Sequence, residues 1–215
     1  MLTLYTYYRS SAAFRVRIAL ALKGLDYDAV PVHLQRDGGQ HRTAEFAARN
    51  PARLIPALDV DGSVLTQSLA ILEYLEETHP EPPLLPVGAL ARARVRALAL
   101  AVACDMHPLN NLRVLRYLAG ELKLDEERRS RWYRHWVETG FDALEAMLRR
   151  DRPEGPYCHG ERPGLADCCL VPQVFNARRF DIPLEPYPSI LAVHDACMRL
   201  AEFERAAPAA QADAE

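Results

Sequence analysis

The sequence predicts two domains, a small α/β domain followed by an all-helical domain. Over the first 80 residues, short alternating apolar runs are separated by helical runs, a pattern typical of a sheet covered by helices. Beyond the proline-rich segment 81–88, EPPLLPVG, strand patterns disappear and apolar residues recur at helical spacing. We therefore predict an α/β domain at 1–80, a linker at 81–88 and an all-helical domain at 89–215.

The first domain is predicted to have the order strand, helix, strand, short helix, strand, strand, helix. Gly24 stops the first helix, and Asp61-Gly62 between two apolar runs favours a hairpin turn, because glycine tolerates positive φ. This order of elements is that of the thioredoxin-like architecture. The predicted bounds are Leu2–Tyr7, Ala12–Lys23, Tyr27–Leu34, Thr43–Arg49, Ala57–Val60, Val64–Thr66 and Ser68–Thr78.

The second domain is predicted to consist of helices alone. Val95, Leu98 and Val102 mark one face of a long helix, which Pro108 should bend or break near residues 104–107. The tail after Ala206 is small and polar, and we expect it to be frayed. The other predicted helices are Asn110–Glu121, Asp125–Arg150, Leu165–Arg179 and Pro188–Leu200.

Composition and charge argue against several classes of function. The net charge of −3 gives no reason to expect nucleic acid or an anionic membrane as a partner. Arg9, Arg15 and Arg17 interrupt the first apolar run, which argues against a signal peptide, and no stretch approaches the roughly 18 apolar residues of a membrane span. The five cysteines, an odd number without metal-ligand spacing, indicate free thiols in a reducing cytoplasm and predict no metal site.

The triplet Arg9-Ser10-Ser11 stands between the first strand and the first helix. A serine at a helix start accepts a bond from a first-turn amide, and the remaining amides, with the positive end of the helix dipole, attract an anion. The hydroxyls and the arginine could therefore hold a thiolate or a carboxylate. The alternative, which the local pattern leaves open, is that these serines only cap the helix.

Five segments carry more information than the periodicity alone. They are RSSAAFRVRIALALKG (9–24), Asn50-Pro51, Ile55-Pro56, QSLAILEYLEE (67–77), and ADCCLVPQVFNARRF (166–180) with EPYPSI after it. With these segments in this order, the sequence resembles zeta-class glutathione transferases from residue 4 to about residue 205. The most similar members are maleylacetoacetate isomerases and maleylpyruvate isomerases, and CDMHPLNN (104–111) is especially like the latter.

This resemblance implies a glutathione transferase fold, in which a thioredoxin-like domain binds glutathione and an all-α domain shapes the second substrate pocket. It also implies a cytosolic homodimer. The reaction usual in these enzymes is cis–trans isomerisation of a maleyl keto acid, a dicarboxylate, in aromatic compound catabolism. The sequence is compatible with conversion of maleylacetoacetate to fumarylacetoacetate and with conversion of maleylpyruvate to fumarylpyruvate.

Such an isomerisation needs a thiolate that adds to the conjugated carbon and leaves after the resulting single bond has rotated. A free thiol has a pKa of about 8.5, and lowering that pKa by about two units corresponds to roughly 2.7 kcal/mol. From the family motif, we expect Ser10 to donate a hydrogen bond to the sulfur, with Ser11 as helix cap and second donor. Arg9 completes the expected catalytic set.

The other expected site residues also follow from the family motifs. Arg9 and Arg179 are expected to bind the substrate carboxylates with their planar guanidinium groups, together with Asn111. Ile55-Pro56 matches the cis-proline position that pairs with the cysteinyl part of glutathione. Gln67-Ser68 lies at a helix start suited to the γ-glutamyl carboxylate. The remaining residues expected to bind glutathione are Gln40, His41, His107 and Asn110.

Several of these residues have a structural alternative. Ser68 is explained equally well as a helix cap, and His41 as a solvated loop histidine. Residues 107–111 could instead form a polar kink that satisfies backbone carbonyls freed by the proline. Arg178 is expected to point elsewhere on its helix than Arg179.

The sequence departs from the family pattern at two positions. Ala12 stands where the family usually has a cysteine after the paired serines, so chemistry of that cysteine is absent. Gly164 replaces the usual hydroxyl residue at the start of the helix at 165–179, where Asp167 fits a structural cap. Arg15 and Arg17 are expected to form structural ion pairs.

Two other functions stay open at this stage. A conjugating or peroxide-reducing glutathione transferase would use the same Ser10 but would not need two arginines. A non-catalytic glutathione-fold module used for assembly would tolerate the loss of Ser10. The complete set of Ser-Ser, Ile-Pro and Gln-Ser pairs argues against that module.

Overall fold

The computed structural model describes residues 1–151 and 153–215, which form two compact units. The first unit comprises Met1–Leu84 and Met198–Glu215, and the second comprises Leu85–Cys197. The predicted fold class, an α/β part followed by an all-helical part, is confirmed. The functional division at 1–80, 81–88 and 89–215 stays a prediction, and the compact units differ from it by placing residues 198–215 with the first unit.

The first unit contains one mixed sheet of four strands, β1 (Leu2–Thr6), β2 (Asp28–Pro31), β3 (Ala57–Val60) and β4 (Ser63–Thr66), in the order β2-β1-β3-β4. β1 pairs in parallel with β2 and antiparallel with β3, and β3 pairs antiparallel with β4. β2 is shorter than predicted, because the chain after Val32 bonds to its own loop instead of to β1. The His33 amide donates to Gln40 Oε1 at 2.8 Å.

The helices of the described residues are numbered in chain order. α1, α2, α3 and α9 belong to the first unit, where α3 and α9 pack against α1. α4 to α8 form the second unit, in which α7 packs against α4 and α8. The bounds are α1 Ser11–Leu22, α2 Ala44–Arg49, α3 Ser68–Thr78, α4 Ala89–Leu100, α5 Leu112–Gly120, α6 Glu126–Asp151, α7 Leu165–Arg179, α8 Pro188–Cys197 and α9 Ala201–Ala206. No helix in residues 1–151 and 153–215 is both long and apolar enough to cross a membrane.

The predicted break at Pro108 is confirmed. After α4 the backbone widens into a π-helical segment, Ala101–Met106, and then tightens into a 3-10 turn, His107–Asn110. A proline inside a helix removes one amide donor and clashes with the preceding turn, so the regular helix ends before it. The chain resumes helical geometry at Leu112, two residues later than the sequence predicts.

Asp167 caps α7 from within its first turn, as predicted. Its Oδ2 accepts from the Gly164 amide at 2.8 Å, and its Oδ1 accepts from the Cys158 amide at 2.9 Å. Burial raises the pKa of this carboxyl, while the bonds from Cys158 and Gly164 oppose that shift. Its cysteine neighbours are free thiols, and Cys104 differs from the other cysteines in being exposed.

The prediction of a frayed tail after Ala206 is wrong. Residues 208–210 form a 3-10 turn, and Asp213 Oδ2 accepts a hydrogen bond from the Tyr8 amide at 3.0 Å. Glu215 pairs with Arg36 in the loop that follows β2. This alanine-rich tail is held by its partners in the first unit, which local sequence does not reveal.

Candidate functional site

The loop from β1 to α1 places Ser10 at the N-cap of α1. Its backbone is extended, with φ −73° and ψ 114°, and its Oγ accepts from the Ala13 amide at 3.2 Å. Ser11 is the first residue of the helix and is buried. The expectation that Ser11 is the cap is therefore wrong by one position, because a cap residue has non-helical geometry and Ser10 has it.

The hydroxyl of Ser10 keeps a hydrogen to donate. A serine oxygen accepts through its lone pairs and donates through its O–H, so the bond from Ala13 leaves the donor function available. The half-buried Ser10 stands beside first-turn amides that lack carbonyl partners in their own helix. These amides and the helix dipole favour an anion next to the hydroxyl. The capping and anion-binding interpretations of Ser10 are thus compatible in one side chain.

Arg9 is oriented by Tyr8, which sequence reasoning did not single out. Arg9 Nε donates to Tyr8 Oη, and the guanidinium carbon lies 4.9 Å from the centre of the Tyr8 ring. The hydrogen bond from Arg9 to Tyr8 is the main cause of the raised pKa of Arg9. Because this bond uses Nε, the terminal nitrogens are the donors that a carboxylate would meet.

Arg17 supports this loop from inside the unit. Its side chain is 1% exposed, and its Nη1 and Nη2 donate to the carbonyls of Tyr7 and Tyr8 at 3.3 and 3.0 Å. Nη1 also donates to Thr6 Oγ1 at 3.0 Å, and Nε donates to the Ala206 carbonyl at 2.9 Å. Burial lowers the pKa of Arg17 to about 10. The expected ion pair is wrong for Arg17, since its hydrogen-bond partners are hydroxyl and carbonyl oxygens.

α3 brings a second helix N-terminus into the same unit. Gln67 occupies its N-cap position with a positive φ of 69°, and its side chain makes no capping bond. Ser68 is the first helical residue instead of the cap, and its Oγ accepts from Arg15 Nη1 at 3.1 Å. Arg15 thus joins the start of α3 to α1. The Ile55-Pro56 peptide bond is cis, as expected.

The loop after β2 is organised around a buried histidine. His33 Nδ1 accepts from the amides of Gln35 and Arg36 at 3.1 and 2.8 Å. Gln40 uses its side-chain oxygen to accept from the His33 amide. His41 is buried, so the interpretation of it as a solvated loop residue is wrong. It fits there because Gly39 has no Cβ, an atom that would lie 2.5 Å from His41 Cε1.

The predicted site residues of the second unit lie at the Pro108 break and at the end of α7. Asn110 is buried and donates through Nδ2 to the Tyr133 carbonyl at 3.3 Å. Asn111 caps α5, with Oδ1 accepting from the Arg113 amide at 3.0 Å. His107 begins the 3-10 turn. Asn111 is therefore a capping residue, and a role in binding substrate stays a prediction.

Arg179 and Arg178 have different surroundings. The guanidinium carbon of Arg179 lies 4.8 Å from the centre of the Phe180 ring, which stacks on Tyr133. Arg178 instead has its Nη1 3.5 Å from His194 Nε2 and its Nη2 3.8 Å from Asp195 Oδ1. This difference agrees with the expectation that the two arginines point to different places.

Comparison with known families identifies the chain. Residues 4–83 match the family profile "Glutathione S-transferase, N-terminal domain", and residues 126–196 match "Glutathione S-transferase, C-terminal domain". A solved structure described as a maleyl pyruvate isomerase, a bacterial glutathione S-transferase of the zeta class, is 51% identical with a TM-score of 0.96. That comparison covers 99% of this chain and 100% of the other. The chain belongs to the zeta class of the glutathione S-transferase family.

Two further relatives of this zeta-class chain bear on its site. A probable maleylacetoacetate isomerase of Vibrio cholerae is 51% identical over 214 residues, covering 99% of this chain and 98% of the relative. The crystal structure of maleylacetoacetate isomerase from Methylobacterium extorquens, with malonate and glutathione bound, is 42% identical with a TM-score of 0.94. It covers 99% of each chain.

Proposed function

We propose that this chain is a glutathione-dependent isomerase that converts a maleyl keto acid to its fumaryl isomer in aromatic compound catabolism. The substrate is maleylacetoacetate or maleylpyruvate, the compounds named for its relatives. The observation that carries the proposal is Ser10, whose hydroxyl caps α1 and keeps a hydrogen to donate beside the positive end of the helix.

The first unit fits glutathione by the chemistry of its donors. Ser10 and the first turn of α1 suit a sulfur anion, and the uncapped start of α3 suits a carboxylate, because its amides lack a side-chain partner. We assign the γ-glutamyl end to Gln67 and Ser68, the cysteinyl part to the backbone at Ile55-Pro56, and the glycyl end to Gln40 and His41. From the family motifs, we also propose that His107 and Asn110 bind glutathione.

Bound glutathione supplies the nucleophilic thiolate that the isomerisation requires. Ser10 donates its O–H to the sulfur, and the helix dipole favours the negative charge there. Together they stabilise the thiolate over the thiol by roughly 2.7 kcal/mol, enough to ionise most of it at pH 7. Ser11, the first helical residue, contributes its first-turn amide. Ala12 has no thiol, so the chain itself offers no second nucleophile at this position.

From the family motifs, we propose that the dicarboxylate substrate binds to Arg9, Arg179 and Asn111. Arg9 is held by Tyr8 through Nε, which leaves the fork of terminal nitrogens for a carboxylate. Arg179 is held over the Phe180 ring. The malonate bound in the Methylobacterium relative is also a dicarboxylate.

We propose further that the protein is a cytoplasmic homodimer. Val87, two residues before α4, and Leu90, in its first turn, are 98% and 88% exposed, and large exposed apolar side chains favour an interface. The free cysteines fit a reducing compartment. In this proposal, residues 1–80 bind glutathione and residues 89–215 shape the substrate pocket, with residues 81–88 as the linker between these two domains. Residues 198–215 also support the first unit.

The test is turnover of maleylpyruvate and of maleylacetoacetate, each coupled to a hydrolase specific for the trans product, with and without glutathione. We expect glutathione-dependent turnover, stronger for one substrate than for the other, and the preferred substrate identifies the physiological reaction. Binding of glutathione without turnover of either substrate would contradict the isomerase function.

A further inference from the structure

The segment at 198–215 returns to the first unit and ends beside the β1–α1 loop. α9 packs against α1, and the carbonyl of Ala206 accepts the Nε–H of the buried Arg17. Asp213 then accepts the amide hydrogen of Tyr8 at 3.0 Å. Tyr8 lies one residue before Arg9 and two before Ser10, so this contact adjoins the proposed catalytic groups.

The loop at Tyr7–Ser10 is held by three sets of bonds. Arg17 binds the carbonyls of Tyr7 and Tyr8 from inside the unit. The Ser10 amide donates to the Tyr7 carbonyl at 2.9 Å, which closes the turn. The Tyr8 amide, between these groups, has the carboxylate of Asp213 as its acceptor. Removing this acceptor would leave the Tyr8 amide unsatisfied in the folded loop.

Charge also couples Asp213 to this loop. Arg17 is a buried cation bonded to neutral oxygens, and the negative charge of Asp213 partly offsets the effect of burial on its pKa. A charge-assisted bond to a carboxylate is stronger than a neutral one. Asp213 thus acts on the loop in two ways. It accepts the amide hydrogen of Tyr8, and its charge acts on the buried Arg17.

We propose that Asp213 is a positioning residue for the site, holding Tyr8 so that Arg9 and Ser10 face the thiol and the substrate. This inference rests on the proposed function for the roles of Arg9 and Ser10. Tyr8 connects Asp213 to Arg9, because its amide donates to Asp213 and its hydroxyl accepts from Arg9. A purely structural role would instead tie down residues 208–215 without changing the thiol.

The experiment compares Asp213→Ala with Asp213→Asn, which keeps an acceptor oxygen, and with Glu204→Ala, an exposed carboxylate of α9. Hydrogen exchange of the Tyr8 amide is measured without glutathione. The ultraviolet absorbance of the thiolate is then titrated in the complex with glutathione. Denaturation midpoints establish that each variant is folded.

For Asp213→Ala, we expect Tyr8 exchange to be at least about tenfold faster, and the thiolate titration to move up by about half a unit to one unit. KM for the maleyl substrate should also rise, because Tyr8 would no longer hold Arg9 in place. Asp213→Asn, which keeps the acceptor but not the charge, should restore part of each value, and Glu204→Ala should match the unaltered chain. If the alanine variant does not fold, Asp213→Ser, which has no carboxylate, replaces it.

Faster Tyr8 exchange with an unchanged thiolate titration and unchanged KM would overturn the positioning role. An unchanged exchange rate in Asp213→Ala would overturn it as well. The thiolate titration needs glutathione but no turnover. A shifted titration in a chain without isomerase activity would therefore support the role of Asp213 while contradicting the proposed function.

Discussion

At the residue scale, the account depends on one oxygen that accepts and donates at once. Ser10 accepts from the Ala13 amide and retains its hydrogen for an anion. The family motif places this serine at the site, and local sequence predicts a cap in the triplet but not which serine it is. The supporting contacts of Tyr8 and Arg17 could not be predicted, since they depend on loop carbonyls and on Ala206. The signal that was available for Arg17 is its position, with Arg15, in a helix whose residues after Ser11 are otherwise apolar.

Ser10→Ala is expected to lower glutathione-dependent kcat/KM by about 10- to 100-fold, because a hydrogen bond to a charged group is worth roughly 1.5–3 kcal/mol. It should also raise the pKa of the bound thiol, read from thiolate absorbance. The variant loses a helix cap too, which costs about 1 kcal/mol of stability. Thr43→Ala is the matched control, since Thr43 caps α2 by accepting from the Phe46 amide at 3.2 Å. Equal activity in Ser10→Ala and Thr43→Ala would refute the role of the hydroxyl.

The neighbouring arginines of α7 provide a second comparison. Arg179→Ala should raise KM for the maleyl substrate about tenfold or more, as loss of a charged hydrogen bond predicts, with little change in KM for glutathione. Arg178→Ala removes a part-buried contact with His194 and an exposed one with Asp195, and it should leave both constants within about twofold. Steady-state kinetics with each substrate varied separately decides between them. A larger effect from Arg178 would reverse the assignment.

At the element scale, ends that carry a local signal are predicted well, and the end of β2, which lacks one, is not. The bounds of α3 and α7 match the sequence analysis, because His79-Pro80 ends the first and Asp167 begins the second. β2 ends early because a side chain seven positions later, Gln40, takes the His33 amide. Such a contact depends on the loop's three-dimensional path, which periodicity does not encode.

Asp167→Ala is expected to lower the free energy of unfolding by about 3 kcal/mol, since it removes the acceptor of a buried amide, that of Cys158, and of a partly buried one, that of Gly164. Urea denaturation measures the loss. Asp125→Ala is the control: Asp125 accepts from the Arg128 amide at 2.8 Å in an exposed position, so its removal should cost about 1 kcal/mol or less. Equal losses in the two variants would show that burial of the cap is unimportant.

His194 should make stability depend on pH. Burial is the main cause of its lowered pKa, and Arg178 adds to it while the bond to Asp195 opposes it. Below its ordinary pKa of about 6.5, the unfolded chain therefore binds more protons at this residue than the folded chain does. The contribution of neutral His194 to the free energy of unfolding is complete above pH 6.5. It is lost as pH falls from 6.5 through the lower pKa that His194 has in the folded chain.

His194→Gln should accordingly flatten the fall in stability between about pH 7 and pH 5. Urea denaturation midpoints across that range measure the slope. The exposed His135→Gln is the control and should leave the slope unchanged. A slope in His194→Gln as steep as in the unaltered chain would contradict the assignment.

At the scale of the whole molecule, the fold class and the family are readable from the sequence, and the return of the last segment is not. Residues 206–215 are mostly small and weakly patterned, yet the segment 198–215 supports α1 and the β1–α1 loop through Ala206 and Asp213. The proposed isomerase and a conjugating transferase differ in what happens to glutathione. An isomerase returns the thiol after each turnover, whereas conjugation consumes one thiol for each substrate molecule.

The most direct measurement is therefore the balance of glutathione during complete conversion of maleylpyruvate or maleylacetoacetate. Proton NMR follows the cis and trans isomers, and a thiol assay follows free glutathione in the same sample. We predict that the fumaryl product replaces the maleyl substrate while total glutathione stays constant. Loss of one glutathione for each substrate consumed, without fumaryl product, would contradict it.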